Sequence, residues 1–179
     1  GLKFNGDVEF KNILIKDHKH DSLIFIKELN SSILSFANIN DNKLIFGGID
    51  IYGLFFHIKT YSGEQASNLD IFTGKFKKTK ETSSLFKLSA TNLRVRDSYF
   101  KLTDENKTVQ EILDFQKLYI NADDFLILGP DVQTQINALR FKDARGVELQ
   151  NLETQFKYTP NAMSVSYTHL RAHETRRYR

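Results

Sequence analysis

The sequence contains no cysteine and no tryptophan, a single methionine and only two prolines among 179 residues. Without cysteine there can be no disulfide, no thiolate metal site and no cysteine nucleophile. No apolar run approaches the ~20 residues that cross a bilayer as a helix. The chain also lacks a phosphate-binding glycine loop, a nucleophile elbow and an H-E-x-x-H pair, so it carries none of the compact signatures of those enzyme classes. Zero cysteine fixes no compartment.

A charge of one sign is missing as well. Twenty-five basic and 22 acidic residues give a net charge of +3 and a pI near 9.0. The whole excess lies in Val165–Arg179 (VSYTHLRAHETRRYR), which holds four arginines and one glutamate. With that segment set aside the charge is balanced, and the case for a nucleic-acid partner disappears. The segment turns abruptly to Arg and His after a chain rich in Lys, Asn and Asp. It resembles one reading frame of the adapter DNA used in transposase-based sequencing libraries. The expectation is a β-rich segment over 1–164, a fragment of a longer protein, and an artefactual tail over 165–179 that is set aside in reading the fold.

What is abundant is aromatic and branched: 15 Phe and 7 Tyr accompany many Ile and Leu, a composition suited to pleated, half-buried surface. Period-two patterning predicts strands at Gly6–Lys16, Ser22–Leu29, Ile33–Phe36 and Leu44–Thr60. Further ones are expected at Leu85–Ala90, Leu93–Val95, Tyr99–Leu102, Ile112–Phe115, Leu118–Ala122 and Phe125–Leu128. Val132–Phe141, Val147–Leu149 and Leu152–Tyr158 complete the set. Gly6–Lys16 changes phase, from Val8 and Phe10 to Ile13 and Ile15. In Leu44–Thr60, plain alternation puts Ile49 and Ile51 on one face and Leu54, Phe56 and Ile58 on the other. Gly53 sits at the switch, where a bulge or sharp bend falls. Leu69, Phe72 and Phe76, following Ser67 or Asn68, predict one short amphipathic helix over Ser67–Phe76. Lys77–Ser84 reads as a solvated loop, Thr103–Thr108 as a polar turn, and Asp143–Gly146 as another turn. Gly129-Pro130 ends a strand.

A loose echo runs through these strands. Apolar-x-apolar triplets follow a small, polar or charged residue at Asn12, Gly53, Asn92, Lys117 and Ala138. Their spacing is irregular, which excludes a fixed-period solenoid. The resulting fold class is all-β: an extended, open or partly closed antiparallel or mixed sheet, groove-like, with one short helix.

Candidate chemistry is thin. Asp17-His18-Lys19-His20-Asp21 places two histidines at i, i+2, which on a strand would share a face and could ligate a metal with a carboxylate. A polar turn between two strands accounts for the same residues better, so no metal or cofactor is assigned. His57 reads as a sheet residue. Asp123-Asp124 and Asp104-Glu105 are adjacent carboxylates, and neighbours on a strand point to opposite faces, a poor arrangement for paired acid–base work. Gly47-Gly48 marks a bulge or a strand junction. The chain is read as not an enzyme.

Three stretches carry a resemblance. Ile15–Phe25 (IKDHKHDSLIF), Gly53–Phe76 (GLFFHIKTYSGEQASNLDIFTGKF) and Tyr99–Val132, with FKLTDENK, LDFQKL and DFLILGPDV inside it, resemble the TamB family of AsmA-like translocation and assembly proteins as found in Bacteroidetes. The likeness extends over nearly all of Leu2–Tyr158. It implies a region near the amino end of a very long protein, anchored in the inner membrane by a helix that is missing from this fragment and crossing the periplasm as a β-rich groove. It further implies phospholipid or other hydrophobic cargo, or outer-membrane protein assembly with a barrel-type partner, and no catalytic residues. The side chains expected to line such a groove are Leu54, Phe56, Ile58, Leu93, Val95, Leu118, Ile120, Leu139 and Phe141. The alternative is a β-rich envelope module that binds or adheres to a protein or glycan. A small enzyme built on Asp17–Asp21 is a distant third.

Overall fold

The computed structural model describes residues 6–35, 43–75, 85–109, 111–129, 131–159 and 162–174. Eight strands follow one another across a single sheet in chain order. They are β1 (Gly6–Lys16), β2 (Ser22–Ser35), β3 (Lys43–Thr60), β4 (Lys87–Asp104), β5 (Glu111–Leu128), β6 (Asp131–Asp143), β7 (Val147–Thr159) and β8 (Ala162–Glu174). All neighbours pair antiparallel except β3 and β4, which run parallel and are joined by a crossover containing α1 (Asn68–Gly74). The fold is therefore all-β, an open mixed sheet with one short helix.

Several expected short strands are parts of longer ones. Leu85–Ala90, Leu93–Val95 and Tyr99–Leu102 belong largely to β4, the three segments from Ile112 to Leu128 form β5, and Val147–Leu149 and Leu152–Tyr158 form β7. Ile33–Phe36 is not separate either: β2 runs on through Ser35, and Phe36 lies outside the described residues. Polar residues split these segments in the sequence, but the backbone ladder passes through them because one face of a single sheet tolerates polar side chains. The Lys77–Ser84 loop lies outside the described residues. The helix begins at its expected cap: the Ser67 hydroxyl accepts from Asp70 N–H, and the Asp70 carboxylate accepts from Ser67 N–H, a capping box.

The terminal segment joins the sheet. Ala162–Glu174, which includes Val165–Glu174, runs as β8 and pairs with β7 from Thr159↔Ala162 to Val147↔Glu174. A ladder joins backbone groups and reads side chains weakly, so the open edge of β7 accepts this segment whatever its origin.

Each strand makes its main contacts with its sheet neighbours, and α1 packs on β3. The surface is correspondingly large. The chain exposes 12029 Å², against roughly 8,900 Å² for a compact chain of 20.7 kDa. The Tyr158 phenol on β7 is pushed above its ordinary value by burial and by the negative charge of Asp70 on α1.

Candidate functional site: one apolar face built across the sheet

A row of left-handed residues crosses the sheet. Asn12 (φ 56) in β1, Gly53 (φ 67) in β3, Asp97 (φ 47) in β4 and Lys117 (φ 51) in β5 all fall in a strand interior. The registers align them: Lys11↔Glu28 and Ile13↔Ile26 bracket Asn12 opposite Lys27, and Ile26↔Leu54 and Glu28↔Tyr52 bracket Lys27 opposite Gly53. Tyr52↔Arg96 and Phe55↔Tyr99 set Gly53 beside Asp97, and Ser98↔Leu118 puts Lys117 one position past Ser98, so the line steps diagonally into β5. Three of these four residues, Asn12, Gly53 and Lys117, are entry residues of the apolar triplets. The echo in the sequence is thus a crease in the sheet.

The crease resets which way side chains point. Before it, Asp50 and Arg96 share a face, with Arg96 Nη2 3.0 Å from the Asp50 carboxylate. Tyr52, two residues from Asp50, stands on that face too, yet its hydroxyl donates to Asp97 Oδ2 at 3.2 Å and its ring lies 5.2 Å from Lys27 Nζ. Residues of the crease row therefore emerge on the same side as the row before it, and alternation restarts there. This corrects the expectation of opposite faces in β3: Ile49, Ile51, Leu54, Phe56 and Ile58 all lie on one face. The same reset unites Val8, Phe10, Ile13 and Ile15 in β1. It also explains β4, where Val95 and Ser98, three residues apart, are both about 3% exposed.

The ladder is patched at the crease. Ser98 Oγ accepts from Leu54 N–H at 3.0 Å and donates to the Arg96 carbonyl at 2.8 Å. Gly53 fits because a Cβ there would stand 2.9 Å from Lys27 Cβ, apart from the cost of its positive φ.

All nine expected lining residues meet on this face. Ile51, Val95, Ile120 and Leu139 form one row across β3 to β6, and Ile49, Leu93, Ala122 and Ile136 form the next. Beyond the crease, Leu54 and Leu118 flank Ser98. Phe56 then begins an aromatic line: its ring centroid is 5.6 Å from Phe100, which is 5.8 Å from Phe115, which stacks 3.8 Å from Phe141. Ile58 pairs with Leu102, and Leu102 with Leu113. Sequence reasoning missed Phe100 and Phe115, although the parallel echo of Phe55-Phe56 in Tyr99-Phe100 was there to be read. Burial is complete at Leu23 on β2, Ala122 on β5 and nearly so at Thr154 on β7, whereas edge strand β1 leaves Phe10 48% exposed.

The polar cluster is a different kind of feature. Asp17–Asp21 forms the β1–β2 turn, closed by Asp17 N–H to the Asp21 carbonyl at 2.9 Å. Asp17 Oδ1 accepts from Lys19 and Asp21 N–H, and Oδ2 accepts from Tyr61 Oη at 2.7 Å and Asn68 Nδ2 at 3.1 Å. Burial works to raise this carboxyl's pKa, but those four bonds together hold it below the ordinary value. The Tyr61 phenol moves the opposite way, raised by burial and by its bonds to Asp17 and Asp21. Asn68, 1% exposed, accepts from Lys59 N–H and donates to the His57 carbonyl, continuing the ladder where β2 has ended. His18 Nε2 lies 2.9 Å from Glu64, while His20 is exposed, so the two histidines do not converge. His57 is a strand residue beside Thr103, and burial, then the charges of Lys101 and Lys59, lower its pKa. Asn106 fastens the β4–β5 turn to the Tyr61–Glu64 loop. The cluster ties three connections at one end of the sheet. Asp123 and Asp124 are both exposed, and Asp123 accepts from Asn137. Among the described residues no group of three His, Asp or Glu is placed to hold a metal.

No family model, no curated protein and no solved structure matches this chain.

Proposed function

We propose that this chain is a non-enzymatic segment of a bacterial envelope protein, anchored in the inner membrane and spanning the periplasm. Its apolar face would carry phospholipid or a similar hydrophobic cargo toward a barrel-type outer-membrane partner. The observation that supports this most is the crease. It sacrifices regular strand geometry in four strands, and its effect is to gather apolar side chains from both halves of the sheet on one side. A lipid in water exposes methylenes worth about 0.8 kcal/mol each, so a dozen cost on the order of 10 kcal/mol unless an apolar surface follows them. Val95 and Leu118 are already buried, so cargo entering there exchanges one apolar contact for another.

The test is site-specific photo-crosslinking of the chain expressed in a bacterial periplasm. A photoreactive residue at Ile120 or Leu139 should yield phospholipid adducts, and one at Tyr119 or Arg140, on the reverse face, should not. Equal labelling of the two faces, or none on the apolar one, defeats the proposal. A second reading, a module that binds a glycan or protein by its surface, is favoured by one specific feature: a polar concavity on the reverse face.

A further inference from the structure

That concavity is an open depression across β1 to β4 with a volume of about 500 Å³, within the ~300–1,000 Å³ usual for small-molecule sites. Two successive rows line it. One runs Glu9, Asn30, Asp50, Arg94 in direct register. The other holds Asp7, Ser32, Gly48 and Asn92, with Asp7 opposite Ser32 and Gly48 opposite Asn92. Both rows belong to the face that bears Tyr52 and Arg96, opposite the apolar one.

The depression is built. Gly47-Gly48 interrupts the ladder between Ser31 and Ile33, and two serines repair it: Ser31 Oγ donates to the Gly48 carbonyl at 2.8 Å, and Gly48 N–H donates to Ser32 Oγ at 3.1 Å. The Asn92 amide occupies the space a Cβ at Gly48 would need, its Oδ1 only 2.8 Å from that position. Among the described residues the side chains of Asp7 and Asn92 make no hydrogen bond, and Arg94 reaches Asp50 only at 4.0 Å. The lining thus presents an uncommitted carboxylate, amide and guanidinium around one concavity. Its carboxylates do not converge on a metal position. Its three carboxylates, Asp7, Glu9 and Asp50, are balanced by Arg94 and by Lys11 and Arg96, which lie 3.0 Å from Glu9 and Asp50, so the lining favours neither anion nor cation.

We infer that this concavity is a saccharide site, taking a neutral sugar of about disaccharide size. Vicinal hydroxyls can donate to Asp7 and Asp50 while accepting from Arg94 and Asn92, which satisfies both kinds of group at once. The inference is independent of the apolar face.

The test uses the full chain in phosphocholine micelles, which cover the apolar face and carry no sugar. Cellobiose, maltose and N,N′-diacetylchitobiose are titrated while backbone amide resonances are followed. At least one sugar should shift the Gly48, Asp50 and Asn92 amides saturably, and Arg94→Ala and Asn92→Ala should each weaken that binding roughly tenfold. Both positions are exposed, so the variants' spectra should otherwise match the parent. Absence of saturable shifts with all three sugars, or binding undiminished in both variants, overturns the inference.

Discussion

Two residues hold conformations or partners that nothing else could supply. At Gly53 an alanine would meet Lys27 Cβ at 2.9 Å and adopt φ 67. Left-handed geometry alone costs about 1–2 kcal/mol for a residue with a Cβ. Gly53→Ala should therefore lower stability by about 2–3 kcal/mol in urea titration. Gly6→Ala, where nothing lies within 4 Å, should leave it unchanged. Asp17 makes the other argument. Its folded pKa lies below the ordinary 3.8, so its stabilising contribution is complete above that value and is lost as pH falls through the folded one. The urea midpoint should drop below about pH 4, and Asp17→Asn should flatten that portion of the profile while lowering stability at neutral pH. Identical acid limbs in the two proteins would show that Asp17 is not the group responsible.

At the scale of the strand, the crease is the organising device, and its non-glycine members bear its cost. Asn tolerates the left-handed region better than Lys does. Lys117→Asn should therefore stabilise the chain by about 0.5–1 kcal/mol, and Lys117→Val should destabilise it by about 1–2 kcal/mol, read from denaturant midpoints. The same device explains what could be read from the sequence. The bounds of β1, the capped helix and the turn at Asp17–Asp21 were legible because each has a local signature. The phase changes at Asn12 and Gly53 were visible too. Their consequence was not, because a sequence shows alternation failing but not that four failures lie side by side. That depends on a parallel β3–β4 register whose 44-residue offset no local pattern announces. The nine lining residues could be picked out as strand apolars, whereas Asn68 looked like a helix cap and its repair of the β3 ladder depends on where β2 ends. The polar concavity left only Gly47-Gly48 as a trace.

For the whole molecule, the decisive property is that the close backbone contacts of each strand are with its sheet neighbours, with α1 added at β3. Such a sheet is close to one-dimensional, and a perturbation at one edge should decay across it rather than melt the chain at once. Removing residues 160–179 tests this directly, since β8 contacts β7 and no other strand substantially. Hydrogen exchange on the truncated chain should show faster exchange of the β7 amides that donated to β8. Amides of β4 and β5 should keep their protection. Truncation also bares the β7 edge, and an unpaired edge is a template for another chain, so the shortened protein should self-associate more readily in light scattering. A uniform loss of protection would instead mean that the sheet folds as a single cooperative core, closed around its apolar face. That outcome would weigh against cargo entering there, because the side chains assigned to the groove would then be needed to hold the fold together.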